Sequence, residues 1–187
     1  NDVPVAQPDA GAAELTGAED TALTIALAQL TGNDSDADGD ALTVTAVSAA
    51  VHGSVALVDG AVRFMPERDY YGPASFVYTV QDGRGGQAQA LATLQITPAN
   101  DVPVVGGETV AGVEDTALVI AAQALLANDH DIDSAQLSVT AVGNAHGGTV
   151  TLLGDGSVRF EPLADHTGAA GFDYTVSDGD GGQTTAS

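Results

Sequence analysis

At 187 residues the chain is long enough for one large domain or two of ordinary size, and a hydrophobic share of 44% excludes simple disorder. Acids outnumber bases 26 to 4, and a net charge of -22 opposes nucleic acid and membrane insertion or anionic membrane, which demand basic or apolar surface. Cysteine is absent, which excludes disulfides, and no apolar run approaches the roughly 18 residues of a membrane helix.

In chain order, the pattern is one of short alternating strands split by Gly/Asp turns. A first strand, A, is expected near Val3–Gln7. Strand B is expected at Ala22–Ala28, with Leu23, Ile25 and Leu27 on one face. Strand C follows at Leu42–Val47 and strand D at Ser54–Val58. Asp59-Gly60 is a strong hairpin signal. Strand E is expected at Val62–Met65, strand F at Ser75–Gln81 with Phe76, Tyr78 and Val80 inward, and strand G over Ala88–Thr97. Ala26–Leu30 and Ala121–Leu126 have the composition of a helical turn, too short for a stable helix. Seven strands in roughly a hundred residues predict an all-β fold of immunoglobulin-like β-sandwiches.

The same unit occurs twice. Asn1-Asp2-Val3-Pro4-Val5 returns as Asn100-Asp101-Val102-Pro103-Val104, and Glu19-Asp20-Thr21-Ala22-Leu23 as Glu114-Asp115-Thr116-Ala117-Leu118. Val62-Arg63-Phe64 returns as Val158-Arg159-Phe160, and the run from Phe76 to Gly83 as that from Phe172 to Gly179. The displacement is that of one ordinary domain, not of a solenoid turn. Two tandem domains are therefore expected, 1–98 and 99–187, joined by the stiff linker Pro98-Ala99-Asn100-Asp101-Val102-Pro103. Thr184-Thr185-Ala186-Ser187 spans only the start of the second strand G, so that copy is expected to show an open edge. A chain that opens at a repeat boundary reads as part of something longer.

The acids fall in loops and recur with the repeat. Strands that alternate in direction put the AB and EF turns at one end of a sandwich and the BC and FG loops at the other. That logic gathers Glu19, Asp20 and Asp69 of the first copy with the linker's Asn100 and Asp101, and with Asp129, Asp131, Asp133 and Asp178 of the second. A matching half-site at the N-terminal end comprises Asn1, Asp2, Asp36, Asp38 and Asp82. Acids this dense repel unless a cation lies among them, and Ca²⁺ accepts six to eight such oxygens.

The Asn-Asp-x-Pro linker, the Glu-Asp-Thr before strand B, the Asn33-Asp34-x-Asp36-x-Asp38 loop and the Tyr78-Thr79-Val80-x-Asp82-Gly83 end of strand F occur twice in the same order. Together they resemble the cadherin fold at its calcium joints, and more closely the cadherin-like tandem repeats of large bacterial RTX adhesins exported by type I secretion. The resemblance spans nearly the whole chain. It implies interdomain Ca²⁺ at Glu19, Asp69, Asn100, Asp101, Asp131, Asp133 and Asp178. It also implies an extracellular or cell-surface location, and a role as a rod in attachment or biofilm. The expected partners are neighbouring repeats of the same chain, with a host-surface, matrix or homophilic contact as a further expectation. One departure stands out: where cadherins usually offer Asp-x-Glu in the EF loop, this chain has Asp69-Tyr70-Tyr71-Gly72.

Other readings carry less. Asp34-x-Asp36-x-Asp38-Gly39 opens like an EF-hand, but Thr45 stands where that loop needs its bidentate glutamate, and Thr140 in the second copy. Ion-free Asp/Gly turns are the bland alternative for these loops. His52 and His146 precede glycines and read as turn residues rather than zinc ligands. No nucleophile elbow supports an enzyme, so none is expected. Tyr70-Tyr71 is the one candidate for an exposed aromatic contact to a sugar or protein, which keeps an adhesive ligand-binding module as the competing function. Arg63 and Arg159 are expected in surface cross-strand pairs.

Overall fold

The computed structural model describes residues 1–10 and 15–187. It divides into two compact units, Asn1–Ala99 and Asn100–Ser187. Both are β-sandwiches. In chain order unit 1 comprises β1 (Thr16–Ala18), β2 (Leu23–Ala26), α1 (Leu27–Leu30), β3 (Thr43–Val51), β4 (Gly53–Val58), β5 (Ala61–Pro66), β6 (Gly72–Gln81) and β7 (Gln87–Thr97). One sheet has the order β2-β5-β4 and the other β1-β7-β6-β3. All their pairings are antiparallel except that of β1 with β7.

The core forms where the two inner faces meet. Alternation along β5 and β6 turns Val62, Phe64, Phe76, Tyr78 and Val80 inward, and each is fully buried. Ala92, Leu94 and Ile96 of β7 close the same core. Phe64 and Phe76 stack across the sheets with ring centroids 6.2 Å apart. Below them α1 is a single turn whose Gln29 side chain accepts the Ala26 N–H at 2.8 Å, and it buries Leu30.

Unit 2 repeats this plan as β8 (Leu118–Ile120), α2 (Ala122–Leu125), β9 (Ser138–His146), β10 (Gly148–Leu152), β11 (Val158–Pro162), β12 (Gly171–Ser177) and β13 (Gln183–Ala186). Its sheets run β10-β11-β8 and β13-β12-β9. Even an irregularity repeats. Ala49 and Asn144 both have positive φ, at 50° and 48°, where β3 and β9 bulge against their partners.

The expected strand A is not a strand. Val5 makes one antiparallel bridge to Ser35, and Val104 one to His130. Pro4 and Pro8 lack the N–H that a ladder needs, which limits pairing to that bridge. The strand that does pair there, β1, lies parallel to β7 through Thr16↔Gln95 to Ala18↔Thr97. Its Thr-Gly-Ala sequence has no apolar alternation to announce it. Leu27 belongs to the helical turn rather than to strand B.

Candidate functional site

At the leading end of unit 1 the loop after α1 and the turn between β6 and β7 enclose the first two residues. Asp82, 5% exposed, is the anchor. Its Oδ1 accepts the N–H groups of Arg84 at 2.7 Å and Gly86 at 2.9 Å, while its Oδ2 accepts the Asn1 side-chain amide at 2.8 Å. The Asn1 bond, helped by the backbone donors, holds the Asp82 carboxyl below the usual range against the opposing effect of burial. Asp38 Oδ2 accepts the Asp2 N–H at 2.6 Å, and Asp36 Oδ1 accepts the N–H groups of Asp38 at 2.9 Å and Asp40 at 3.3 Å.

These bonds engage both oxygens of Asp82 but leave one oxygen unused in two of its neighbours. The second oxygens of Asp36 and Asp40 are buried without a hydrogen-bond partner. Ligand oxygens of Asp36, Asp38 and Asp40 all lie within 4.8 Å of one another. Oxygens 2.3–2.6 Å from a common Ca²⁺ would be separated by about that much or less. Arg84 Nε, 3.1 Å from Asp40 Oδ1, supplies one nearby positive charge in this arrangement. Converging buried acceptors without donors fit a hard divalent cation, so the residues present suit Ca²⁺.

Unit 2 builds its leading end the same way. Asp178 Oδ2 accepts the Asn100 amide at 2.7 Å, and its Oδ1 accepts the N–H groups of Asp180, Gly181 and Gly182 at 2.8, 3.0 and 3.0 Å. The Asn100 bond again leads in lowering the carboxyl's pKa. Asp133 Oδ2 accepts the Asp101 N–H at 2.8 Å, Asp131 Oδ1 accepts the Asp133 N–H at 2.8 Å, and Asp131 Oδ2 is buried without a partner. Asn100, Asp101, Asp131, Asp133 and Asp178 are thus brought together, as are Asn1, Asp2, Asp36, Asp38 and Asp82.

Asp129 is not part of that group. Its Oδ1 accepts the Gly106 N–H at 2.9 Å, as Asp34 Oδ1 accepts the Gln7 N–H at 2.8 Å in unit 1. At the trailing end of unit 1, Glu19 is 2% exposed and its Oε1 accepts the Ala99 N–H at 2.8 Å. Asp20 Oδ1 accepts the Asp69 N–H at 3.2 Å, and both residues have positive φ. Asp115 and Asp165 repeat that bond at 2.9 Å.

Two features have no counterpart in the sequence reading. Gly86 and Gly182 must lack a side chain. A Cβ on either would strike the Oδ2 of Asp82 or Asp178, and would lie 3.0 Å from Pro4 Cδ or 2.6 Å from the Asp101 carbonyl oxygen. The paired glycines before strand G were the available signal. The second feature is a carboxylate beside each core tyrosine. The Tyr78 hydroxyl lies 3.0 Å from the Gln7 carbonyl oxygen, 3.1 Å from that of Leu30 and 3.3 Å from Asp34 Oδ1. Burial pushes the neighbouring Asp9 carboxyl above its usual range, and Tyr78 is raised by burial and by Asp9. In unit 2 Tyr174 meets Gly106, Leu125 and Glu108 in the same way. Asp9 and Glu108 stand at matched points in two copies of the repeat that differ there, so residue identity alone does not reveal them.

The histidines and arginines are ordinary. His52, with φ 57°, stacks on Tyr70 at 4.1 Å. Arg159 pairs with Glu161 of its own strand, not across the ladder, because Thr151 and Val119 stand opposite it. Tyr71 is 61% exposed and Tyr70 is half-buried.

Tandem sandwiches with Asx-rich loops gathered at the leading end of each define a class of tandem repeat module. The chain belongs to the cadherin-like domain family, which matches it twice, over residues 1–97 and 99–187. Cadherin-like domains generally bind Ca²⁺ and are usually extracellular. No curated protein matches the chain. Among solved structures, an endo-fucoidan hydrolase of glycoside hydrolase family 107 is 19% identical with a TM-score of 0.39, covering 98% of this chain and 28% of the hydrolase. A Bacteroides ovatus mixed-linkage glucan utilization locus protein, SGBP-B, solved with a heptasaccharide, is 16% identical with a TM-score of 0.30, covering 100% and 46%. Titin domains z1z2, solved with telethonin, are 14% identical with a TM-score of 0.27, covering 99% and 93%. The chain therefore spans well under half the length of the hydrolase, and likenesses this loose say nothing about activity. Among the described residues no helix is long and apolar enough to cross a membrane.

Proposed function

We propose that the chain is a calcium-binding extender segment of a bacterial cell-surface or secreted adhesin, of the RTX type exported by type I secretion. Ca²⁺ held by the acidic groups at the ends of the repeats stiffens the run of domains and carries an adhesive region away from the cell. The observation that carries this reading is the leading-end constellation, built twice from the same residue types. In both copies it leaves carboxylate oxygens of Asp36, Asp40 and Asp131 buried and without a donor. A net charge of -22 makes the same demand, since screening by bound cations relieves self-repulsion. Calcium dependence also suits export, because a chain that stiffens only outside the low-calcium cytosol passes a secretion channel more readily.

Thermal unfolding and small-angle scattering with Ca²⁺, then with excess chelator, test this. The expected result is a higher melting temperature and a longer particle with Ca²⁺. If neither changes, the loops are solvated turns and the extender reading fails. A second reading, an adhesive module for carbohydrate or protein, rests on the exposed Tyr71 beside the stacked Tyr70–His52 pair. It moves ahead if glycan-array binding is found and is lost in Tyr71→Ala.

A further inference from the structure

The opening segment of unit 1 ends on an acid that the calcium reading does not use. Backbone bonds fix Asp9 on both sides: its N–H donates to the Leu91 carbonyl at 2.9 Å, and its own carbonyl accepts the Thr93 N–H at 2.8 Å. Bridged in this way to Ala92, the residue is 7% exposed, and its Oδ2 is buried without a hydrogen-bond partner. Two residues earlier the segment is tied again. Gln7 N–H donates to Asp34 Oδ1 at 2.8 Å, and the Asn33 amide reaches the Gln7 and Pro8 carbonyls at 3.4 and 3.3 Å.

Donors are short at this point. The Tyr78 hydroxyl carries one proton, and the Gln7 carbonyl, the Leu30 carbonyl and both oxygens of Asp34 lie within 3.4 Å of it. An ionised Asp9 adds more acceptors and a second negative charge beside Asp34. Among the described residues, Tyr78 from β6 and Asp34 from the loop after α1 are the titratable groups that face it, and Asn33 faces it as a neutral amide. The flanking strand β7 has no titratable side chain. Unit 2 keeps the arrangement in a different local sequence. Glu108 there accepts from Tyr174, whose hydroxyl also meets the Gly106 and Leu125 carbonyls, and Glu108 Oε1 is buried without a partner.

We propose that Asp9 is a proton-operated latch: its protonated carboxyl holds the opening segment, which begins with Asn1 and Asp2, against Tyr78 and β7, and its ionisation beside Asp34 loosens that hold. A proton on the carboxylate removes one of two adjacent charges and supplies a donor where the tyrosine alone served. Burial favours the neutral acid and the Asp34 charge adds to it, against the bonds from Tyr78 and Asn33. The native chain therefore binds this proton more tightly than the unfolded chain. The hold is complete below about pH 4 and is lost as pH rises through the native value. The proposal is independent of the calcium reading.

The test uses the full chain in chelator, which keeps it separate from calcium binding. Carboxyl-carbon NMR follows the titration of Asp9, and protection of the Asp9 and Thr93 amides against hydrogen exchange follows the hold. The Asp9 midpoint is expected above the ordinary value of about 3.9. Protection of both amides should fall through that same midpoint, by about tenfold for each pH unit between the native and unfolded values. Asp9→Asn, neutral at every pH, should keep the protection and abolish its pH dependence. An Asp9 midpoint at the ordinary value, or protection that does not follow the Asp9 titration, refutes the latch. A pH dependence that survives in Asp9→Asn refutes it as well, since another group then governs the segment. Where Asp9→Asn fails to fold, the titration and exchange of the unaltered chain decide alone.

Discussion

Removing the hydroxyl of Tyr78 gives the sharpest test of how unit 1 is tied together. That oxygen sits among the Gln7 carbonyl, the Leu30 carbonyl and Asp34, and so links the opening segment, the helical turn and the loop after it. Tyr78→Phe keeps the ring in the core and deletes only this donor. A buried acceptor left without its donor costs about 1–3 kcal/mol, and the two carbonyls share a single proton, so about 2 kcal/mol is expected in all. For a domain of this size each kcal/mol moves the midpoint by about 4–8 °C, which gives a fall of roughly 8–16 °C for unit 1. Tyr70→Phe is the control. Its hydroxyl donates to the Pro73 carbonyl at 2.7 Å in an exposed setting, where water replaces the partner and the loss is about 0.5 kcal/mol or less. Differential scanning calorimetry of the full chain, with urea unfolding as a second measure, reads both. Equal shifts for Tyr78→Phe and Tyr70→Phe would refute the argument.

Gly86→Ala should drive the Asp82 carboxylate off its donors and weaken Ca²⁺ binding at the leading end of unit 1 about tenfold or more, by calorimetric titration. Gly154→Ala, where a Cβ meets nothing within 4 Å, should leave it unchanged. In chelator, Asp82 and Asp178 have native pKa values below their unfolded ones. Their contribution is therefore complete above about pH 4 and is lost as pH falls through the lower native values. Asp9 has the opposite sign, since its native pKa is raised: what it contributes is complete below about pH 4 and disappears as pH rises through the native value. Asp9→Asn should accordingly raise the melting temperature at pH 7 more than at pH 3. Phe76→Ala should cost about 3–5 kcal/mol and Phe172→Ala markedly less, because Phe76 is fully buried and Phe172 only half-buried.

The repeat and the sandwich were legible because alternation along β5 and β6 leaves a period of two in the sequence, and because copies expose one another. Phe76, Tyr78 and Val80 point inward as that period requires. What escaped was set by backbone pairing rather than side-chain pattern. β1 carries Thr-Gly-Ala, and its place is dictated by β7, far along the chain. Prolines reduced the expected first strand to a bridge at Val5. At the site, Asp-x-Asp spacing marked Asp36, Asp38, Asp131 and Asp133, because neighbouring carboxylates in a tight loop share an end of the fold. The same spacing joined Asp129 to that set, although its carboxylate turns back to the Gly106 N–H. Spacing fixes which loop an acid occupies, not which way its side chain folds. The roles of Gly86 and Gly182 depend on a close approach that only three dimensions reveal.

The central claim is that the doubled constellation binds calcium. Isothermal titration of Ca²⁺ into chelator-treated chain, beside a variant carrying Asp36→Asn and Asp131→Asn, tests it most directly. The account predicts saturable binding with Ca²⁺ preferred over Mg²⁺, and loss of most of that heat in the variant. Absence of saturable binding to the unaltered chain, or equal binding by the variant, would contradict it.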